Sequence, residues 1–137
     1  MNGNCTFCKI VEGEVPAWKI YEDEHFLAFM GAFPITEGHS LVIPKEHYPE
    51  FLDLPEHELK HLLRVVQEVA DGVVEATDAD GFNLLQSNNP VAGQEIFHVH
   101  FHIIPRYHGD SVEMRWEESE LEDEQAEALL KDIRECM

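Results

Sequence analysis

Two short apolar runs open the pattern of the chain, His25-Phe26-Leu27-Ala28-Phe29-Met30 and Ser40-Leu41-Val42-Ile43, closed by Gly31 and Pro44. Runs of this length between breakers predict buried strands, with Gly31 to His39 as a crossover loop carrying Pro34 and Gly38. From Asp53 the period changes. Leu59, Leu62, Leu63, Val66, Val69, Ala70, Val73 and Val74 recur at steps of three and four, which is one face of a helix covering a sheet. Asp53 with Glu56 reads as a capping box, Pro55 fits the first turn, and Gly81 lies shortly beyond the end. Phe82 to Ser87 returns to strand composition, and Asn88 to Gly93 is a turn-rich loop. Ile96 to Pro105 alternates as a further strand, and an acidic stretch from Trp116 to Met137 carries Leu121, Leu129, Leu130 and Ile133 at helical spacing. The expected organisation is one domain over 1–137, with an N-terminal arm at 1–24 that adds little to the core. A C-terminal helix at 117–137 is expected to pack by its apolar edge.

Length and composition narrow this picture. A chain of 137 residues and 15.8 kDa fits one domain, and 44% hydrophobic content with eight Phe argues for a folded protein. Nine Lys and Arg against 28 Asp and Glu give a formal charge of -19. Such a surface repels nucleic-acid backbones and anionic membranes. The acids spread from Glu12 to Glu135, which reads as adaptation to high salt, where mobile cations screen a carboxylate shell. Three cysteines are too few for a disulfide framework, and no basic start or long apolar run marks a signal peptide or membrane span. A reducing, cytoplasmic setting is expected.

The chemistry concentrates in two places. On a strand, alternate side chains share a face, so His98, His100 and His102 point one way while Phe97, Val99, Phe101 and Ile103 point the other. A solvated face, a metal site, or nucleophilic and acid-base chemistry at phosphorus would each use such a row. In the arm, Cys5-x-x-Cys8 precedes any strand-helix-strand unit, which favours zinc over a redox pair, and two thiolates need two further ligands.

His98-Val99-His100-Phe101-His102-Ile103-Ile104 resembles the signature of the histidine triad (HIT) family without a gap. Gly38-His39-Ser40-Leu41-Val42-Ile43-Pro44-Lys45 and Ala92-Gly93-Gln94 resemble its upstream segments. The likeness runs from Cys5 to Arg106 and leaves the C-terminal tail outside. It implies an α+β fold, with one long helix on an antiparallel sheet, usually as a two-fold homodimer. It also implies hydrolysis or transfer at the α-phosphate of nucleoside phosphoramidates or dinucleoside polyphosphates. By the family's pattern, His100 would form a nucleotidyl-histidine intermediate and His102 would contact phosphoryl or bridging oxygens. Asn88, Gly93 and Gln94 would hold the substrate, and Phe29 would floor the base pocket. His39 would hydrogen-bond within the triad or serve as a structural strand-end residue. The subset with this arm implies a structural zinc on Cys5, Cys8, His47 and His98.

Departures from the pattern are visible. Gly31 stands where many members carry a ribose-binding Asp, Ser87 where many carry Asn, and Glu95 where some carry a small hydroxyl residue. A non-catalytic nucleotide-binding adaptor is the alternative function, and a zinc hydrolase using the triad as open ligands is a third. His25, His57, His61 and His108 match no motif and read as surface residues, Cys136 as inert, and Lys45 and Arg106 as partners of surface carboxylates.

Overall fold

The structure, a computed structural model, describes residues 3–137, so the first two residues of the 1–24 arm lie outside the description. Its elements run α1 (Thr6–Val11), β1 (Lys19–Glu22), β2 (Phe26–Met30), β3 (Ser40–Pro44), α2 (Glu56–Thr77), β4 (Gly81–Leu85), β5 (Phe101–Arg106) and α3 (Asp123–Cys136). The strands form one antiparallel sheet in the order β1-β2-β3-β5-β4, an α+β architecture as expected. Among the described residues, no helix is long and apolar enough to cross a membrane.

Both faces of the central strands are covered, which is why β2 and β3 read as unbroken apolar runs. On one face, Phe26, Ala28, Val42, Phe101 and Ile103 pack under Leu62, Val65, Val66, Val69, Ala70 and Val73 of α2. On the other, Leu27, Phe29, Leu41 and Ile43 meet Cys5, Phe7, Cys8 and Ile10 from the arm. The arm therefore supplies half of a second core, contrary to the small contribution expected. Burying side chains such as Phe7 and Ile10 is worth about 1.5–3 kcal/mol each.

Three local details differ from the pattern reading. The long helix starts at Glu56 behind Pro55, which offers no side-chain cap. Asp53 instead closes a capping box with Glu50 around a short helical turn, Phe51–Asp53, so its carboxylate is already taken when α2 begins. At the other end the left-handed residue is Asp78, with Gly81 already in β4. The triad strand starts only at Phe101, because Val99 donates its N–H to the Tyr48 carbonyl (2.7 Å) in the loop after β3. The side-chain alternation survives, with His98 and His100 against Phe7 of the arm while Phe101 and Ile103 join the core under α2.

The C-terminal stretch differs most. Its helix begins at Asp123 rather than 117, and none of its residues is buried. Leu129, Leu130 and Ile133 are each about half exposed, so the apolar edge is present but is not packed on the domain.

Candidate active site

Cys5 caps the N-terminus of α1, and its Sγ accepts from the Cys8 N–H (3.3 Å). One turn of helix thereby aims both thiols the same way. They meet His47, just beyond β3, and His98, just before β5. Cys8 Sγ lies 3.3 Å from His47 Nδ1 and 3.5 Å from His98 Nδ1, and Cys5 Sγ lies 3.4 Å from His98 Nδ1. The four donor atoms fall within 4.8 Å of one another and could hold a metal ion. His98 Nε2 sits 2.8 Å from the Pro44 carbonyl. A carbonyl only accepts, so the proton is on Nε2 and the Nδ1 lone pair faces the thiols, the orientation that metal-ligating imidazoles adopt.

The other triad histidines turn into a cleft of about 400 Å³. His100 Nδ1 lies 2.7 Å from the His98 carbonyl, which fixes the proton on Nδ1 and leaves the Nε2 lone pair free. His39 Nδ1 accepts from the Ile35 N–H (3.0 Å). The His39 proton therefore sits on Nε2, 3.0 Å from His102 Nδ1, and is donated there. His102 in turn carries its own proton on Nε2. Two backbone groups thus determine the tautomers of three rings, with a bare nitrogen on His100 and an N–H on His102. Their centroids are 4.8 Å apart. Burial holds all four site histidines below the ordinary imidazole value, His98 and His102 at about 4, so these rings stay neutral at neutral pH.

Phe29 and Gly93 line the same cleft, Phe29 fixed edge-on by Phe7 at 5.6 Å and Gly93 at a φ of 100°. Gln94 and Asn88 do not line it. Gln94 is buried, its Oε1 accepting from the Asn89 N–H and its Nε2 donating to the carbonyls of Pro49 and Ile96. Asn88 accepts from the Phe51 N–H and exchanges two bonds with Gln86. Both side chains brace the loop, bonded to backbone groups and, for Asn88, to the Gln86 amide. Glu95 faces the cleft, whose lining residues include no Lys or Arg. Lys45 pairs with Glu22 and Arg106 with Asp110, as expected of surface cations.

The HIT domain family matches residues 12–109 of the chain. An uncharacterized HIT-like protein of Methanocaldococcus jannaschii is 44% identical over 130 residues, 95% of this chain and 98% of its own. The adenylylsulfatase HINT3 of Arabidopsis thaliana is 44% identical over 80% of this chain, which spans 56% of that protein. The adenosine 5'-monophosphoramidase HNT1 of Saccharomyces cerevisiae is 38% identical over 77% of this chain and 65% of its own. Among solved structures, SMU.412c from Streptococcus mutans superposes with a TM-score of 0.94 at 38% identity, over 98% of this chain and 86% of that one. A Zn-bound histidine triad family protein from Mycobacterium smegmatis gives 0.75 at 36% identity over 98% of each chain. The triad in its cleft and these likenesses agree: the chain belongs to the HIT family.

Proposed function

We propose that the chain is a nucleotidyl hydrolase or transferase acting on nucleoside phosphoramidates through a covalent intermediate on His100. The observation that carries this reading is the pair of complementary tautomers, a free Nε2 lone pair on His100 beside an N–H on His102, both opening into the cleft. His100 Nε2 attacks the α-phosphorus, and the phosphorus–nitrogen bond breaks as the substrate nitrogen, protonated from solvent, departs as the amine. His102 Nε2–H stabilises charge on a phosphoryl oxygen. Water then displaces His100 Nε2 from phosphorus, releasing the nucleoside monophosphate and a proton. Two relatives, one named a monophosphoramidase and one an adenylylsulfatase, support a reaction at this phosphorus.

Glu95 bears on the leaving group. A carboxylate on a cleft without Lys or Arg disfavours a second phosphate or a sulfate and favours a neutral or cationic amine. Gly31 supplies no side chain to the ribose, so the sugar is held less tightly than by an acid at that place.

For the Cys5 cluster we assign zinc in a structural role. A tetrahedral ion with bonds of about 2.3 Å to sulfur and 2.0 Å to nitrogen spans S···N separations of roughly 3.5 Å, and the three short contacts run from 3.3 to 3.5 Å. Bound there, zinc would tie the arm to the segment that carries His100.

A homodimer is the proposed assembly. Edge strand β4 and α2 expose Leu63, Phe82 and Leu84 around one groove. The half-exposed Leu129, Leu130 and Ile133 of α3 give a second apolar edge open to a partner.

The test is a panel of adenosine and guanosine phosphoramidates and dinucleoside polyphosphates, with mass spectrometry for nucleotidyl-His100. Turnover with an adduct that disappears in His100→Asn is expected. Full turnover in that variant would refute the nucleophile, and binding without turnover or adduct across the panel would favour the adaptor.

A further inference from the structure

Three of the histidines that matched no motif share one groove on the α2 face of the sheet, away from the triad. His57 and His61 stand one turn apart on α2, and His25 precedes β2. Together with Asp23 and Glu58 they line a space of about 390 Å³. The stretch His57-Glu58-Leu59-Lys60-His61 places both imidazoles on one helical face. His61 Nδ1 lies 2.9 Å from the His57 carbonyl, so its proton is held there and its Nε2 lone pair points outward. This is the same backbone-carbonyl device that orients His98.

Glu58 supplies the second observation. The residue is buried at 7% exposure, and Oε2 is the one buried side-chain oxygen or nitrogen among the described residues with no hydrogen-bond partner. An unpaired buried carboxylate oxygen is costly, and a proton or a cation removes that cost. The charges that act on it come from His25, His57, His61 and Glu46. The one Arg in the groove, Arg64, is occupied by Glu68 at 3.0 Å, and Lys60 on the same helix faces Glu56 at 3.8 Å.

We propose that this groove is a second metal site, binding an exchangeable zinc-class divalent ion through His57, His61 and the Glu58 carboxylate, with His25 as fourth donor. Imidazole and carboxylate donors together suit zinc, copper and nickel better than magnesium or calcium. These donors are not drawn within 4.8 Å of one another as those of the Cys5 cluster are. Closure requires side-chain rotation, for which His25 and His57 are exposed and available. An exchangeable ion is expected from such a geometry, in contrast to the closed and buried thiolate site.

Untagged protein titrated with zinc and with cobalt(II) tests the proposal. The wild type should take up one equivalent more than His57→Ala/His61→Ala, a surface double variant that leaves the core intact. With cobalt, the added equivalent should bring only weak ligand-field bands, because thiolate charge-transfer absorption belongs to the Cys5 cluster. Glu58→Gln should weaken this second equivalent at least tenfold without altering the first. Equal uptake by wild type and double variant would overturn the site, as would thiolate absorption tracking the second equivalent. Wild-type uptake limited to the ion lost in Cys5→Ser/Cys8→Ser would show that Glu58 is relieved by a proton instead.

Discussion

Replacing His102 with Asn tests whether burial of a neutral imidazole sets the acid sensitivity of the fold. His102 is held at about 4, against 6.5 for an unperturbed ring, chiefly by burial and then by the charges of His100 and His39. The unfolded chain therefore takes up a proton at this residue before the native protein does. Stability from this ring is complete above pH 6.5 and is lost as pH falls toward 4. Between pH 7 and pH 5 the two values correspond to a loss of about 2 kcal/mol. With a urea slope of roughly 1–3 kcal/mol per molar, the wild-type midpoint should drop by about 1 M more than that of His102→Asn over the same pH change. Asn keeps a polar atom near the position of Nδ1, opposite His39 Nε2, but cannot titrate. Urea melts of both proteins at pH 7 and pH 5 under saturating zinc provide the comparison, since every other titrating group is common to the pair. Equal midpoint shifts in the two proteins would refute the reasoning.

Further outcomes follow from other parts of the structure. Gly38→Ala should cost on the order of 2–4 kcal/mol, measured by urea melts. Gly38 sits at φ +89°, and an added Cβ would stand 2.8 Å from Thr77 Cγ2, whose hydroxyl is tied to the Val73 carbonyl, and 3.2 Å from Pro105. Cys8→Ser should lose the zinc of the arm and roughly 4 kcal/mol or more of stability, read by elemental analysis and thermal melts. Glu95→Gln should raise kcat/KM for anionic leaving groups relative to cationic amines by about two- to fivefold; an unchanged ratio would remove Glu95 from substrate selection. Stability should rise as KCl enters the molar range, because screening relieves repulsion within a chain of net charge -19, and a flat or falling melting temperature would contradict a salt-adapted surface.

What the sequence revealed, and what it concealed, has a physical pattern. Strands β2 and β3, helix α2 and the shared face of the three histidines were legible because each leaves a periodic or continuous apolar trace. Cys5, Cys8, His47 and His98 followed from the family likeness, and the fold brings their donor atoms together. The start of α2 was not legible, since the Asp53 carboxylate serves the preceding turn and the helix begins behind Pro55 with no side-chain cap to mark it. The side-chain bonds of Gln94 and Asn88 leave no trace in the sequence, because a motif records where an amide lies along the chain and not which groups it bonds. The groove of His25, His57 and His61 joins a strand to a helix, and the His-Glu-x-x-His spacing was its only local trace. Period likewise showed that α3 has an apolar edge, but the surface that covers such an edge is not written in the helix itself.

The Cys5 cluster also says something about the order in which the molecule is made. Its four donor side chains come from residues 5, 8, 47 and 98, so it cannot close until a stretch of more than ninety residues has been drawn into a loop. The hairpin of β2 and β3 and the helix α2 are local by comparison, and each doubling of loop length adds only about 0.6 kcal/mol to the entropy of closure. Long-range closures of this kind are slow to be rewarded during folding. Hydrolytic competence is therefore expected to appear late, when the arm docks on the triad segment. A chain stalled earlier would hold most of its helix and a sheet without β5 in register, yet would have no place for a nucleotide.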